Sequence, residues 1–242
     1  MMWRVSLQAT VRVTPSEDAW RSLRRELRAQ WGPGRPQHVE YGGENVEQVG
    51  SVWRELGVEE GAVVQVEWKV LKALTDETIH AAAEIWCDGS TERGGSLRSY
   101  SREQLVEEFG EIGQWDVSEV TSMKQLFKGR SFFNNDISGW DTSVVTDMCS
   151  MFWGASAFNQ LLGSWDTSAV TAMYSMFQGA SAFNQPLGSW DISGVANMAF
   201  MFAGASAFNQ PLGSWDTSKV TSMGSMFAGA NKQQKHKPKG AE

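Results

Sequence analysis

Cysteine is scarce in this 242-residue sequence: Cys87 and Cys149 lie far apart in unlike contexts. They make neither a disulfide framework nor a zinc site. Histidine is equally thin, and His38, His80 and His236 fall in three unrelated regions, none in ligand spacing with a cysteine. No run of about 18 apolar residues is present, so no membrane insertion is expected. The opening MMWRVSLQATVRV lacks the apolar stretch of about 7 to 15 residues found in a secretory signal, and the expected location is cytoplasmic or unknown. Positive charge is in deficit, with 21 Lys and Arg against 28 Asp and Glu, net -7. Such a surface does not hold nucleic acid by neutralising phosphates, so no nucleic-acid partner is expected. Neither a G-x-S-x-G elbow nor a phosphate-cradling G-x-x-x-x-G-K-[ST] loop occurs. The expectation is therefore no enzyme: no catalytic residue, no cofactor or cofactor-binding residue, and no metal site.

What the chain does hold is 12 Trp, 12 Phe and 11 Met. Trp115, Trp140, Trp165, Trp190 and Trp215 recur every 25 residues, the mark of a repeat architecture. Val120, Val145, Val170, Val195 and Val220 keep the same register, as do Met123, Met148, Met173, Met198 and Met223. Leu126, Met151, Met176, Met201 and Met226 form the next column, followed by Phe127, Phe152, Phe177, Phe202 and Phe227. Phe133, Phe158, Phe183 and Phe208 each precede an asparagine: Asn134, Asn159, Asn184 and Asn209.

Within the repeat from Thr171 to Ala180, Met173, Met176 and Phe177 have the i, i+3, i+4 spacing of one helical face. The reading is a two-turn helix with Thr171 as N-cap and Gly179 as stop, held by its neighbours because so short a helix is unstable alone. FNQPLGSWD reads as a short strand and loop, with Pro186 and Pro211 interrupting any ladder there. One such unit cannot bury its apolar face, but stacked copies can, so the array should be a solenoid with Trp, Phe and Met ladders as its core. The asparagines are expected to form an amide ladder between coils. Asp116, Asp141, Asp166, Asp191 and Asp216 follow every Trp. A catalytic group is rarely needed five times over, so turn formation or capping is the expected role, with calcium binding the weaker alternative. Thr142, Thr167 and Thr217 suggest an ice-matching array, which Ile192 interrupts; turn and cap duties are preferred.

MFAGASAFNQPLGSWDTSKVTSM resembles the BspA-like surface-protein repeats of the mycoplasma-lipoprotein type, which are leucine-rich-repeat-like. The upstream LTDETIHAAAEIW and EEFGEIGQWDVSEVTSM resemble the helical lead-in of such arrays, so the resemblance spans roughly residues 70 to 231. It implies an adhesion or interaction surface and no catalytic residue; many members are exported. A solenoid's first coil needs a cap. Asp76 or Thr75 should start a helix burying Ile79, Ala82, Ala83 and Trp86, and Ser101 with Gln104 reads as a capping box before Leu105, Val106 and Phe109, with Gly110 as stop. CDGSTERGGSLRSY between them reads as a flexible connection. After Ala230 comes NKQQKHKPKGAE, whose Lys232, Lys235, Lys237 and Lys239 read as a solvated, disordered tail.

The first 68 residues have no repeat. Trp3, Val5 and Leu7 alternate, as do Val11 and Val13, giving two short strands. Trp20, Leu23 and Leu27 then mark a helix that Trp31 to Gly34 ends. HVEYGG and GAVVQVEW read as further strands. This order, with TVRVTPSEDAWRSLRRELRA and ELGVEEGAVVQVEW, resembles the ubiquitin-like β-grasp fold. No terminal diglycine follows Trp68, so conjugation is not implied, and Glu40 stands where ubiquitin carries its apolar recognition patch.

The expected organisation is an α+β β-grasp domain at 1–68, a helical linker and cap at 69–112, an α/β leucine-rich-repeat-like solenoid at 113–231 and the basic tail at 232–242. Residues 113 to 231 carry 4 Lys and Arg and 8 Asp and Glu, whereas the first 112 carry 13 and 19. The expected function is a non-enzymatic protein-interaction or adhesion module with an unidentified protein partner. The alternative is an intracellular adaptor or scaffold that recognises its partner through the ubiquitin-like domain. Self-association through the open C-terminal coil is a further expectation.

Overall fold

The computed structural model describes residues 6–12, 35–41, 44–45, 63–69, 71–93 and 95–230. The chain divides into two units, Met1–Lys72 and Ala73–Glu242.

In the first unit β1 (Ser6–Arg12), β2 (Arg35–Tyr41), β3 (Glu44–Asn45) and β4 (Val63–Lys69) form a sheet of order β1-β4-β2-β3. Every pairing is antiparallel, with Leu7 opposite Trp68 and Val11 opposite Val64. Over Ser6–Arg12 the chain is one continuous strand where two short ones were expected, and Trp3, Val5 and Val13 lie outside the described residues. Between Leu7 and Val11 stand Gln8, Ala9 and Thr10, none with turn chemistry, so alternation simply continues. Strands were expected at HVEYGG and GAVVQVEW; β2 includes His38 to Tyr41 and β4 includes Val63 to Trp68, and the flanking Gly42, Gly43, Gly61 and Ala62 lie outside the described residues. Register shifts between Pro36 and His38, where proline cannot donate to the ladder. The ubiquitin-like β-grasp is not seen, and the helix expected from Ala19 lies outside the described residues.

The second unit opens with α1 (Ile79–Asp88) and α2 (Arg102–Phe109). Ile79, Ala82, Ala83 and Trp86 are all buried, as are Leu105 and Phe109. The Ser101–Gln104 capping box forms with both its hydrogen bonds, at 2.9 and 3.3 Å. The first helix begins at Thr78 instead of Thr75 or Asp76, because the Asp76 carboxylate is engaged with the first coil. The connection between the helices is tied down: Thr91 and Arg93 donate to Glu84, at 2.5 and 2.7 Å, and Leu97 is buried.

The stacked coils contain neither the expected helix nor the expected strand among the described residues. Met173, Met176 and Phe177 are fully buried, as their spacing requires, but the backbone reaches that result through consecutive turns. Met176, Gln178 and Ala180 N–H donate to carbonyls three residues back, at 3.3, 3.1 and 3.0 Å. Met173, Ser175, Phe177 and Gly179 N–H donate to Asn197, Ala199, Met201 and Ala203 of the next coil, at 3.2, 3.0, 2.9 and 2.7 Å. Left-handed residues, Ser175 at φ 55 and Gly179 at φ 72, make this alternation. A two-turn helix would strand most of its N–H and C=O groups at its ends. Turning every second donor along the stack removes that cost, which is why helical spacing produces no helix here.

Single parallel bridges link Ser122, Asp147, Ala172, Asn197 and Ser222. Past Pro186 and Pro211 side chains do the linking. Asn159, Asn184 and Asn209 N–H each donate to the Oδ1 of the preceding coil's asparagine at 2.9 Å, so the expected ladder is present. Gln160, Gln185 and Gln210 reinforce it by donating to the same asparagines.

The aromatic columns stack through the core. Trp140 and Trp165 lie 6.3 Å apart at 2°, and the Phe127, Phe152, Phe177, Phe202 and Phe227 rings follow at 5.5 to 5.8 Å. Each indole N–H finds a carbonyl, such as Trp190 to Leu162 at 2.9 Å, which removes the penalty of burying an unpaired donor. Trp86 of α1 meets Trp115 edge-on at 5.9 Å and so continues the column into the cap.

Candidate interaction face

Beside the buried columns run three whose members differ in exposure, with Ser175, Ala199 and Ala203 buried and Lys124, Trp153, Tyr174 and Phe200 exposed. In the turn segment of each coil, the residues aligned with Lys124, Gln125 and Lys128 flank the buried Met and Phe positions. The core columns barely vary, but these do: Lys124, Cys149, Tyr174, Ala199, Gly224; Gln125, Ser150, Ser175, Phe200, Ser225; and Lys128, Trp153, Gln178, Ala203, Ala228. Trp153, Tyr174 and Phe200 are 39%, 40% and 36% exposed. Tyr174 and Phe200 meet edge-on at 5.9 Å, and Lys128 Nζ sits 4.9 Å above the Trp153 ring. Exposed aromatics of this kind are the groups that dominate binding energy in protein interfaces.

Phe200 has a second peculiarity. Its column is left-handed in all five coils, φ 54 to 61, with Gln or Ser in the other four. A bulky side chain is strained at positive φ, at a cost of about 1–2 kcal/mol. Ser175, in the same column, is buried, and its hydroxyl has no hydrogen-bond partner among the described residues.

No site residue is expected from the sequence, and these three aromatics escape its fixed columns because each stands in a variable one. The signal was available: Trp153 and Phe200 each break a column otherwise free of aromatics. The recurring aspartates and threonines have structural duties. Asp116, Asp141, Asp166, Asp191 and Asp216 each accept the N–H of the serine two residues on, at 2.9 to 3.1 Å. Hydrogen bonds from the Ser168 hydroxyl and N–H hold the Asp166 carboxyl below its ordinary range, and those from Ser193 and Ser218 do the same for Asp191 and Asp216. Among the described residues no three His, Cys, Asp or Glu side chains converge on a common point. Thr142 and Thr167 are buried and donate to the Asp166 and Asp191 carbonyls at 2.9 Å, so they are not a surface array.

Burial pushes the Cys87 thiol up to about 11, and burial with the neighbouring Asp147 pushes Cys149 up to about 11, so both stay protonated at neutral pH. His80 bonds the Lys124 carbonyl at 2.8 Å. A shallow cleft of about 170 Å³ beside it is lined by Glu84, Arg93, Lys128 and Arg130. Its arginines are already paired, Arg93 with Glu84 at 2.7 Å and Arg130 with Asp88 at 2.5 Å. His236 and the tail lysines lie outside the described residues.

Two overlapping stretches, residues 98–204 and 133–239, match the model of a family described as mycoplasma protein of unknown function, DUF285. No curated protein and no solved structure matches the chain.

Proposed function

The chain belongs to the DUF285 family, and from that premise we propose that it is a non-enzymatic protein-interaction or adhesion module that binds through Trp153, Tyr174 and Phe200. The repeats are of the BspA-like, leucine-rich-repeat-like kind, in which a regular stack displays side chains on a rigid frame. One observation carries the reading: Phe200 occupies a strained left-handed position where the other coils have Ser or Gln, and it leaves an aromatic ring partly in water. Neither burial nor backbone preference favours phenylalanine there. Strain retained at an exposed position is expected where the side chain is used for recognition.

The test compares the chain with a variant carrying Trp153→Ala, Tyr174→Ala and Phe200→Ser. A protein retained from a cell extract by the parent should be lost on the variant and should bind the parent again once purified. Equal binding to both would remove this face from the reading. The adaptor alternative separates in the same format, since it requires residues 1–68 to retain ubiquitin-pathway proteins. Surface labelling of intact cells would distinguish adhesion from a role inside.

A further inference from the structure

Positive charge in the array is gathered at one end of the aromatic face. Residues 113 to 231 carry 4 Lys and Arg, and Lys124, Lys128 and Arg130 all stand in the first coil. Lys128 heads the column of Trp153, Gln125 that of Phe200 and Lys124 that of Tyr174. Each exposed ring is therefore in line with a polar side chain of the first coil, two of them cationic.

The shallow cleft of about 170 Å³ lies at this same end, because Gln125 and Lys128 line it together with His80, Glu84, Arg93 and Arg130. Its lining sets Arg93, Lys128 and Arg130 against the single carboxylate of Glu84, in a chain whose net charge is -7. Arg93 meets Glu84 through Nε and Arg130 meets Asp88 through one terminal nitrogen. A guanidinium has more N–H donors than one such bond uses. Lys124 and Lys128 are exposed and make no ion pair among the described residues. Lys128 Nζ rests instead 4.9 Å above the Trp153 ring, which joins the cationic end to the first aromatic of the row.

A cationic end followed by a row of rings selects among partners. Trp153, Tyr174 and Phe200 are only 36 to 40% exposed, too little to enter a bilayer. Lysines gathered at one end do not neutralise a run of phosphates, so nucleic acid is a poor match. Coils bridged as parallel strands step about 4.8 Å, so the row from the first coil to the fourth is roughly 14 Å long, the span of about four or five extended residues. We propose that the partner presents an extended acidic peptide segment, with its carboxylates against Lys124, Lys128 and the cleft arginines and its apolar side chains against Trp153, Tyr174 and Phe200. This rests on the interaction face described above and names what that face takes.

The test selects displayed random peptides of about seven residues, slightly longer than the row, on the full chain and on a Lys124→Glu, Lys128→Glu variant whose fold is checked by tryptophan near-ultraviolet dichroism. The full chain should select Asp or Glu at one end and aromatic or aliphatic residues along the rest. The charge-reversed variant should select the same apolar residues with Lys or Arg replacing the acids, and should bind a synthetic acidic peptide from the first selection about tenfold more weakly. Added salt should weaken that peptide's binding to the full chain. If the reversed variant does not fold, Lys124→Gln with Lys128→Gln should lose the acidic preference instead. Acid-free peptides selected equally by both chains, and lost on the Trp153→Ala, Tyr174→Ala, Phe200→Ser variant, would overturn the acidic partner and leave the interaction face standing. Absence of any peptide that depends on the three rings would overturn both. Lysine-dependent binding of phosphatidylserine vesicles or single-stranded DNA, with no acidic peptide selected, would also overturn the proposal.

Discussion

Asp76 Oδ1 accepts the Thr121 N–H at 2.8 Å, in the position where each later coil uses a backbone carbonyl of the coil before it. Thr146 N–H donates to the Thr121 carbonyl at 2.8 Å, and Thr171 N–H to the Thr146 carbonyl at 2.9 Å. The cap thus offers the first coil a side-chain imitation of a preceding coil, with the Asp76 Oδ2 also receiving the Thr121 hydroxyl at 2.6 Å.

Asp76→Ala removes that imitation and leaves the Thr121 and Ser122 donors to water. The expected loss is about 1–2 kcal/mol, as for a deleted helix cap. Asp76→Asn keeps an acceptor at Oδ1 and should lose less. Urea unfolding of the two variants checks the order, and equal losses would contradict the role given to Oδ1.

Phe200→Gly should move stability and binding in opposite directions. Glycine accepts φ 58 without strain, so the variant gains about 1 kcal/mol from the backbone, partly offset by the weaker packing left when the ring is removed. Binding through the face should fall severalfold. A variant that is destabilised by more than about 1 kcal/mol would show that the ring serves packing more than recognition.

Acid should loosen the array before base does. Burial works against ionisation of Asp76, but the Thr121 hydroxyl and the Ser122 and Thr121 N–H groups outweigh it and hold the carboxyl below its ordinary value. Asp166, Asp191 and Asp216 are lowered by their serines. A carboxyl depressed in the folded state contributes stability above the unfolded pKa, about 4, and loses it as pH falls through the folded value. Urea midpoints should therefore be level from pH 7 to about 5 and decline below about 4. Asp166→Asn, Asp191→Asn and Asp216→Asn together should flatten the decline, since asparagine retains the turn but does not titrate.

The core was legible because it is a matter of which residues recur: Trp140, Met148 and Phe152 are buried where their columns said they would be. Backbone conformation was less legible. Met173, Met176 and Phe177 have helical spacing, yet a turn chain with left-handed Ser175 buries the same three side chains. Periodicity reports the face and not the path. The left-handed column could not be read from residue type, because Gln125 and Phe200 are not residues that announce positive φ. The capping box at Ser101 was readable because both partners lie within four residues. Asp76 was misread as a helix start because its partner, Thr121, is 45 residues away.

The nearest-neighbour character of the stack is open to a direct test. Removing residues 165–189 joins Ser164 to Trp190, where Ser164 and Ser189 share a column, so the new junction reproduces a native one. Met148 N–H would meet the Asn197 carbonyl in place of that of Ala172, and Trp140 would face Trp190 in place of Trp165. The backbone hydrogen bonds between coils and the core ring stacks taken out have equivalents in the shortened chain, the Tyr174–Phe200 edge contact being lost without one, and stability is then a sum over fewer interfaces. The variant should unfold cooperatively, with a smaller urea dependence in proportion to the surface it exposes. Removing only residues 165–176 breaks the column register, sets Phe177 against the wrong neighbours, and should abolish the near-ultraviolet signal of the stacked tryptophans. Loss of structure in both deletions alike would mean that the coils stabilise one another over the whole array and not pairwise.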